Sequence, residues 1–205
     1  MKNLTNVVIC FATNLGGLSV RFPHHGTPYI KFLCDTLKTK RYKEITSILR
    51  DVEIHMSKKY YNRDTETFFK KGYQQITEFE TFNLSKQFFF FDQELLSHKP
   101  DLRDIIFCQQ LMNNGKIYEK GFNTKGTCIV IQNINYYKTE YARVGAEHDE
   151  RRICKLFQEL DYHVVILRDV LYEEFMETLR NEIRNVSESA QALFIFVGTN
   201  SNDEG

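Results

Sequence analysis

Residues 127–131 read TCIVI, a nearly continuous apolar run that ends in the polar pair Gln132-Asn133. A short apolar run rich in β-branched side chains predicts a strand that is buried on both faces of a sheet. Two further runs, at residues 162–167 and 192–197, follow with helical patterns between them. Strands that alternate with helices predict a parallel sheet with right-handed crossovers, and hence a three-layer α/β fold.

The patterns between these runs have the spacing of amphipathic helices. Residues 147–160 place four apolar side chains on one face, namely Ile153, Leu156, Phe157 and Leu160. Residues 171–186 predict a second helix with five apolar side chains pointing inward: Leu171, Phe175, Leu179, Ile183 and Val186. Ligands of parallel sheets bind beyond the carboxyl ends of the strands. Those ends are residues 132–133, 168–169 and 198–200, so we expect a site there.

Residues 1–91 predict a second group of elements. Residues 6–12 predict a strand that is buried on both faces, because Val7–Phe11 within them is continuously apolar. Two helices follow, the first starting near Pro28, because apolar residues recur at helical spacing. These residues are Ile30, Leu33, Cys34 and Leu37 in the first helix and Ile45, Ile48, Leu49, Val52 and Met56 in the second. Four phenylalanines at residues 88–91 predict a short strand, and residues 92–125 form a polar connector.

The composition limits the classes of protein to which the chain can belong. Of its 205 residues, 42% are hydrophobic, which is enough to bury a core. Lysine and arginine total 27, as do aspartate and glutamate, and the net charge of +0 argues against binding to nucleic acid or a membrane surface. No apolar run approaches the ~20 residues of a membrane span. Five scattered cysteines without a C-x-x-C pair favour a reducing cytoplasm, and neither a cofactor nor a metal is expected.

Two arginines follow predicted strands and are candidates for a binding site. Arg21 comes after Ser19-Val20, and Arg143 lies within residues 141–145. Each alone is typical of a solvated surface charge, whereas a pair at one sheet edge would form a bidentate clamp for a carboxylate. The residues themselves leave both interpretations open. Cys108 has no sequence signature of a neighbouring base, so a half-buried structural cysteine is favoured over a nucleophile.

The order of several motifs resembles the caspase family. Residues 125–133, 142–149 and 156–165 resemble the first strand, the R-x-G-x-x-x-D element and the next helix and strand of a caspase large subunit. Residues 6–91 resemble the small subunit. There, Ser19-Val20-Arg21 is similar to the S-W-R element, and residues 26–34 are similar to the G-S-W-F-I-x-x-L-C helix start. The resemblance implies an α/β, three-layer caspase-like sandwich with a mostly parallel central sheet.

The resemblance also implies a division of the chain. Residues 1–91 would be a small-subunit-like segment, 92–125 a linker and 126–205 a truncated large-subunit-like segment, in the reverse of the family's order. The family's Q-A-C-x-G nucleophile motif has no counterpart after residues 192–197, so the sandwich is expected to be incomplete, with its central strand missing. Thr199 or its neighbour stands where the family has its catalytic histidine, and Asn200 stands where it has a glycine.

For function, the resemblance implies substrate-binding roles for Arg21 and Arg143, which match the arginines that clamp a substrate aspartate, and for Ser19 in the same loop. It implies no catalytic residue. We therefore expect a catalytically deficient caspase homologue in the cytoplasm that binds acidic or aspartyl peptide segments. It would pair with caspases or caspase-like chains, as a homodimer or a heterodimer, through an edge strand at residues 86–91, and it would regulate proteolysis in apoptosis. Two alternatives stay open: a fragment of a longer tandem caspase-type, aspartate-specific cysteine endopeptidase, and an unrelated α/β binding domain.

Overall fold

The computed structural model describes residues 6–15, 17–62, 67–69, 73–90, 114–116, 126–136, 138, 141–187, 190 and 192–200. The chain forms two compact units. The first unit consists of Met1–Val20 and Pro28–Glu119, and the second consists of Arg21–Thr27 and Lys120–Gly205. The segment Arg21–Thr27 therefore belongs to the second unit, although it precedes the helices of the first in the sequence.

The described part of the first unit contains two helices and short antiparallel strands. These are β1 (Val7–Phe11), α1 (Pro28–Lys40), α2 (Ile45–Ser57), β2 (Tyr60–Asn62), β3 (Thr67–Phe69), β4 (Tyr73–Gln74) and β5 (Glu78–Phe82). Strand β1 pairs with β5, so that Val7 lies opposite Phe82 and Phe11 lies opposite Glu78. Strand β2 lies between β3 and β4 in a separate small sheet.

The helices α1 and α2 carry the core of the first unit. Ile48, Val52 and Met56 of α2 are buried, as are Leu33 and Leu37 of α1. The apolar spacing in the sequence predicted these faces, and the prediction is confirmed. The carboxylate of Glu44 caps α2 by accepting hydrogen bonds from the backbone N–H groups of Thr46 at 2.9 Å and Ser47 at 3.3 Å.

The prediction that β1 is buried on both faces is wrong. Its residues are half-buried or exposed, and Phe11 is 43% exposed. The reason is that β1 pairs with β5 in a sheet of two strands within the described residues, which leaves much of its surface uncovered. A continuous apolar run shows that a strand avoids water but does not show how many neighbours cover it.

The short strand predicted at residues 88–91 is not formed by the residues that the structure describes, and Phe91 lies outside them. Instead, Phe89 makes an isolated antiparallel bridge with Glu44, and the N–H of Ile45 donates to the carbonyl of Phe88 at 2.9 Å. Phe89 and Phe90 are buried. These aromatic residues pack next to the start of α2 rather than forming an exposed edge.

The second unit is built on a parallel sheet. Its elements are β6 (Thr127–Gln132), α3 (Ala146–Glu159), β7 (His163–Arg168), α4 (Tyr172–Arg184) and β8 (Leu193–Gly198). The strand order is β7-β6-β8, and both pairings are parallel. Central strand β6 is buried through residues 128–132. This α/β arrangement, with a three-stranded parallel sheet and flanking helices, confirms the predicted fold class.

Helix α3 supplies the core on one face of the sheet. The ring of Phe157 contacts those of Phe194 and Phe196, with centroids 4.9 Å and 5.5 Å apart. Ile153 and Phe157 have no exposed surface. The apolar face predicted for this helix is therefore the one that packs.

Helix α4 differs from its prediction. None of its residues is buried, Ile183 is 40% exposed, and Leu171 just before the helix is 61% exposed. Phe175 and Leu179 are half-buried. The five apolar side chains thus do not all point inward, because helical spacing identifies an apolar face but not the surface that covers it.

Candidate functional site

The register of the sheet in the second unit brings Gln132 opposite both Arg168 and Gly198 at the carboxyl ends of the strands. Arg143 lies at this edge. Its Nη1 donates to Oε1 of Gln132 at 2.8 Å and to the carbonyl of Asn133 at 3.3 Å. A Cβ atom at position 198 would lie 2.7 Å from Nη1 of Arg143 and still closer to Oε1 of Gln132. Only glycine leaves room there for the arginine.

The guanidinium of Arg143 is buried, and none of the hydrogen bonds it makes to described residues goes to an anionic group. The residue is 6% exposed, and its Nε is buried without a hydrogen-bond partner among the residues that the structure describes. Within the described part of the chain, its side-chain partners are the neutral oxygens of Gln132 and Asn133. Burial, followed by the charge of Arg21, lowers the pKa of Arg143. An anion placed here would relieve both the unpaired charge and the unsatisfied donor.

Arg21 reaches the same region because the segment Arg21–Thr27 docks on the start of α3. Nε of Arg21 donates to the carbonyl of Val144 at 3.2 Å. Gly145 has φ +91°, and a Cβ there would lie 2.5 Å from the carbonyl oxygen of Phe22. The absence of a side chain at Gly145 therefore permits the close approach. The structure places the two arginines near enough for the charge of one to affect the other.

Ser19, the third residue implied by the resemblance, lies in the first unit. Its hydroxyl is 3.4 Å from Nε2 of Gln75, and the N–H of Val20 donates to Oε1 of Gln75 at 2.9 Å. Nε2 of Gln75 also donates to the carbonyl of Ala12. A fully buried glutamine thus joins both ends of the loop that carries Ser19. The binding role of Ser19 stays a prediction.

Thr199 lies in a network of hydroxyl and amide groups after β8. Its Oγ1 is 3.0 Å from the hydroxyl of Tyr136, which also accepts a hydrogen bond from the N–H of Asn200 at 2.9 Å. The side-chain amide of Asn200 donates to the carbonyl of Tyr141 at 2.7 Å. A threonine hydroxyl does not act as a general base near neutral pH. This network orders the rim of the site but supplies no imidazole.

The four described cysteines are not activated nucleophiles. Cys34 and Cys128 are buried. Cys10 is exposed as a residue, yet desolvation of its thiol raises its pKa to about 11, and desolvation also raises the pKa of Cys154. A raised thiol pKa lowers the thiolate fraction and with it the reactivity. Cys108 lies outside the described residues.

Sequence reasoning missed the roles of three residues: Gln132 and Asp149, which hold parts of the second unit, and Gln75, which holds the loop of Ser19 in the first unit. Gln132 was recognised as a strand end but not as the partner of Arg143. Asp149 is buried and accepts a hydrogen bond from the N–H of Thr27. A polar residue at the end of a buried strand was a signal for Gln132, whereas nothing in the sequence distinguishes Gln75 from the neighbouring Gln74.

The residues that the structure describes include no group of three or more His, Cys, Asp or Glu side chains that could hold a metal ion. Among them, no helix has the length and apolar character needed to cross a bilayer.

A family model and a known protein of similar sequence both point to the same family. The family model described as the caspase domain matches residues 2–89 and 125–204, which is more than half of the chain. The chain is also 36% identical over 63 residues to "Caspase A" of Caenorhabditis elegans. That alignment covers 31% of this chain and 12% of the relative, so the chain spans a small part of the relative's length. On the extent of the family match, this chain belongs to the caspase family.

Proposed function

We propose that this chain is a caspase homologue that binds acidic, aspartyl peptide segments through Arg21 and Arg143 without cleaving them itself. The observation that carries the proposal is the buried guanidinium of Arg143, whose Nε has no hydrogen-bond partner in the described part of the chain. A second guanidinium, that of Arg21, lies close enough to lower the pKa of the first. Two like charges held together near a buried donor favour an anionic ligand.

The shape of the guanidinium group favours a carboxylate. Arginine presents its N–H donors in a planar fork that matches the two oxygens of a carboxylate, and such pairs are strong because both partners are charged. The neutral amide of Gln132 orients Arg143 without neutralising it. The charge is therefore available to a ligand.

The proposed lack of catalysis is supported by the groups around the clamp. Thr199 contacts the hydroxyl of Tyr136 where the resemblance would place an imidazole. The described cysteines are buried or have raised thiol pKa values. A threonine hydroxyl does not replace an imidazole as a base, and these cysteines are not activated thiolates, so both observations support binding without cleavage.

Binding of a labelled peptide tests the clamp. The probe is a fluorescent tetrapeptide that ends in an aspartyl amide, and its asparaginyl counterpart is the matched control. We expect the 205-residue chain to prefer the aspartyl probe, and Arg143→Met to weaken its binding by about tenfold to a hundredfold. Arg180→Met, on the exposed surface of α4, should bind normally. Equal affinity for the two probes would contradict the proposal.

We further propose that the partner is a caspase, engaged through residues 86–91. Membership of the caspase family supports this proposal, and Phe88 and Phe90 form an edge-to-face aromatic pair at this segment, 5.1 Å between centroids. The burial of Phe89 and Phe90 means that pairing would require the segment to leave its contact with Glu44. Co-elution with an active caspase in size-exclusion chromatography is the expected result, and no co-elution with any caspase would oppose the proposal.

A second candidate is a piece of a longer tandem caspase-type endopeptidase. It is favoured by one observation, the small fraction of Caspase A that the alignment covers. The intact mass of the protein isolated from its own source tests this candidate. A mass clearly above 24.3 kDa supports it, and a mass near 24.3 kDa contradicts it. The other alternative, an unrelated α/β binding domain, is wrong because the chain belongs to the caspase family.

A further inference from the structure

We infer that Asp149 is the positioning residue for Arg21, because it holds Thr27 and thereby fixes the docked segment Arg21–Thr27 against α3. The contacts of Asp149 do not depend on the proposed function, whereas their consequence for ligand binding rests on it. Asp149 would not touch the ligand; it would act through the segment.

Asp149 is bound directly to the end of the segment. The N–H of Thr27 donates to Oδ1 at 2.9 Å and to Oδ2 at 3.1 Å. Gly26 has φ +73°, and a Cβ atom there would collide with Oδ1 of Asp149. Asp149 is 1% exposed, so the segment covers a carboxylate that would otherwise face water.

The attachment of Thr27 also restrains Arg21, because hydrogen bonds join Phe22 to Gly26 within the segment. The N–H of Phe22 donates to the carbonyl of Gly26 at 2.9 Å, and the N–H of Gly26 donates to the carbonyl of Phe22 at 2.8 Å. Fixing Thr27 therefore fixes Gly26 and Phe22, and Arg21 is bonded to Phe22. Nε of Arg21 then meets the carbonyl of Val144.

Other charged groups surround the carboxylate. Nη1 of Arg152 lies 3.5 Å from Oδ1 and also donates to the carbonyl of His25. Arg143 contributes a longer-range positive charge. Despite Thr27 and these arginines, burial raises the pKa of Asp149 to about 6. The segment also carries His24 and His25, and α3 carries His148 next to Asp149 in the sequence.

Because the pKa of Asp149 is raised, the opening of the segment should depend on pH in a direction that can be measured. Opening of the segment would return Asp149 to water, where its pKa is ordinary, so the closed form binds the proton more tightly. Protonation therefore favours the closed segment, and the segment opens more readily as the pH rises through about 6. From about pH 5 to about pH 7.5, the opening constant should increase by about tenfold.

Amide hydrogen exchange of the ligand-free 205-residue chain tests the positioning role. We expect Asp149→Ala to lower the protection factor of the Thr27 amide by about tenfold or more. Asp149→Asn, which keeps one acceptor oxygen, should restore protection and remove its pH dependence. Asp35→Asn, an exposed acid paired with Lys31, is the charge-matched control and should behave as wild type. Unchanged protection in Asp149→Ala would overturn the inference.

Two further variants test whether the histidines cause the pH dependence and whether the result depends on the folding of Asp149→Ala. A variant in which His24, His25 and His148 are all replaced by glutamine should keep the wild-type pH profile, and loss of the profile there would refute the role of Asp149. Gly26→Ala serves if Asp149→Ala does not fold, because its Cβ atom pushes the segment away while Asp149 is intact. It should expose residues 21–27 to exchange in the same way, and full protection would refute the inference.

The peptide probe separates this inference from the proposed function. If wild type binds the aspartyl tetrapeptide and Asp149→Ala binds it equally well, the clamp stands and Asp149 is not its positioning residue. If wild type does not bind the probe while the Thr27 amide depends on Asp149, the positioning role stands and the clamp fails. Weaker binding by Asp149→Ala, restored in Asp149→Asn, supports both.

Discussion

Arg143 lies beside a side chain that can orient its guanidinium but cannot neutralise it. Gln132 accepts from Nη1 through a neutral amide oxygen, and Gly198 leaves the space that both side chains occupy. A carboxylate at position 132 would have the same shape but the opposite consequence, because it would pair with Arg143 permanently. The identity of one atom in the amide group thus decides whether the cation is available.

We predict that Gln132→Glu weakens binding of the aspartyl tetrapeptide by about tenfold or more, because the new carboxylate competes with the ligand for Arg143. Fluorescence anisotropy of the labelled probe measures the change. Gln158→Glu, which adds the same charge on an exposed position of α3, is the matched control. An unchanged affinity in Gln132→Glu would show that Arg143 does not contact the ligand.

The two helices of the second unit have similar apolar spacing but different surroundings. Helix α3 buries Ile153 and Phe157 against the sheet, whereas α4 has no buried residue. The difference lies in the surface that covers each helix. The spacing of apolar residues along the sequence does not show that surface. The two helices should therefore respond differently to the same substitution.

We predict that Ile153→Ala lowers the free energy of unfolding of the second unit by about 2–5 kcal/mol, because it leaves a cavity under a fully buried side chain. Ile183→Ala makes the same chemical change at a residue that is 40% exposed and should cost less than about 1 kcal/mol. Protection of the amides of β6 against hydrogen exchange reports both values. Equal effects would mean that α4 packs as tightly as α3.

Over the whole molecule the formal charge is zero, yet two acids, Asp51 and Asp149, make stability depend on pH in opposite directions. The pKa of Asp51 in the first unit is lowered by hydrogen bonds from Lys40 and Lys43, so it contributes stability at neutral pH that is lost as the pH falls through its folded pKa. The pKa of Asp149 in the second unit is raised from 3.8 to about 6 by burial. Its contribution is full below 3.8 and is lost as the pH rises through about 6.

We therefore predict that the second unit loses about 2 kcal/mol of stability through Asp149 between about pH 4 and about pH 7. Asp149→Asn should remove this part of the dependence, so that the difference from wild type widens as the pH rises. Asp51→Asn is the matched comparison, and its effect should shrink in acid. Exchange of the β6 amides, measured at each pH, checks the prediction, and a parallel profile for wild type and Asp149→Asn would contradict it.

Much of the second unit could be predicted from the sequence because its strands are short apolar runs that alternate with helical patterns. The run at residues 127–131 became the central strand, and the runs at 162–167 and 192–197 became its parallel neighbours. The faces of α1, α2 and α3 followed from helical spacing. The site was harder to predict, since Arg21 and Arg143 were candidates whose surface and clamp interpretations the residues left open.

The sequence by itself determined the apolar runs, the helical faces and the motifs of the caspase family, because each of these is written in neighbouring residues. Only the tertiary structure decided that Arg21–Thr27 joins the second unit and that Asp149 holds it. It also decided that Arg143 is buried with an Nε that has no partner among the described residues. Thr27 and Asp149 are 122 positions apart in the chain. Burial and hydrogen-bond partners depend on such distant residues, whereas local patterns depend only on the spacing of nearby ones.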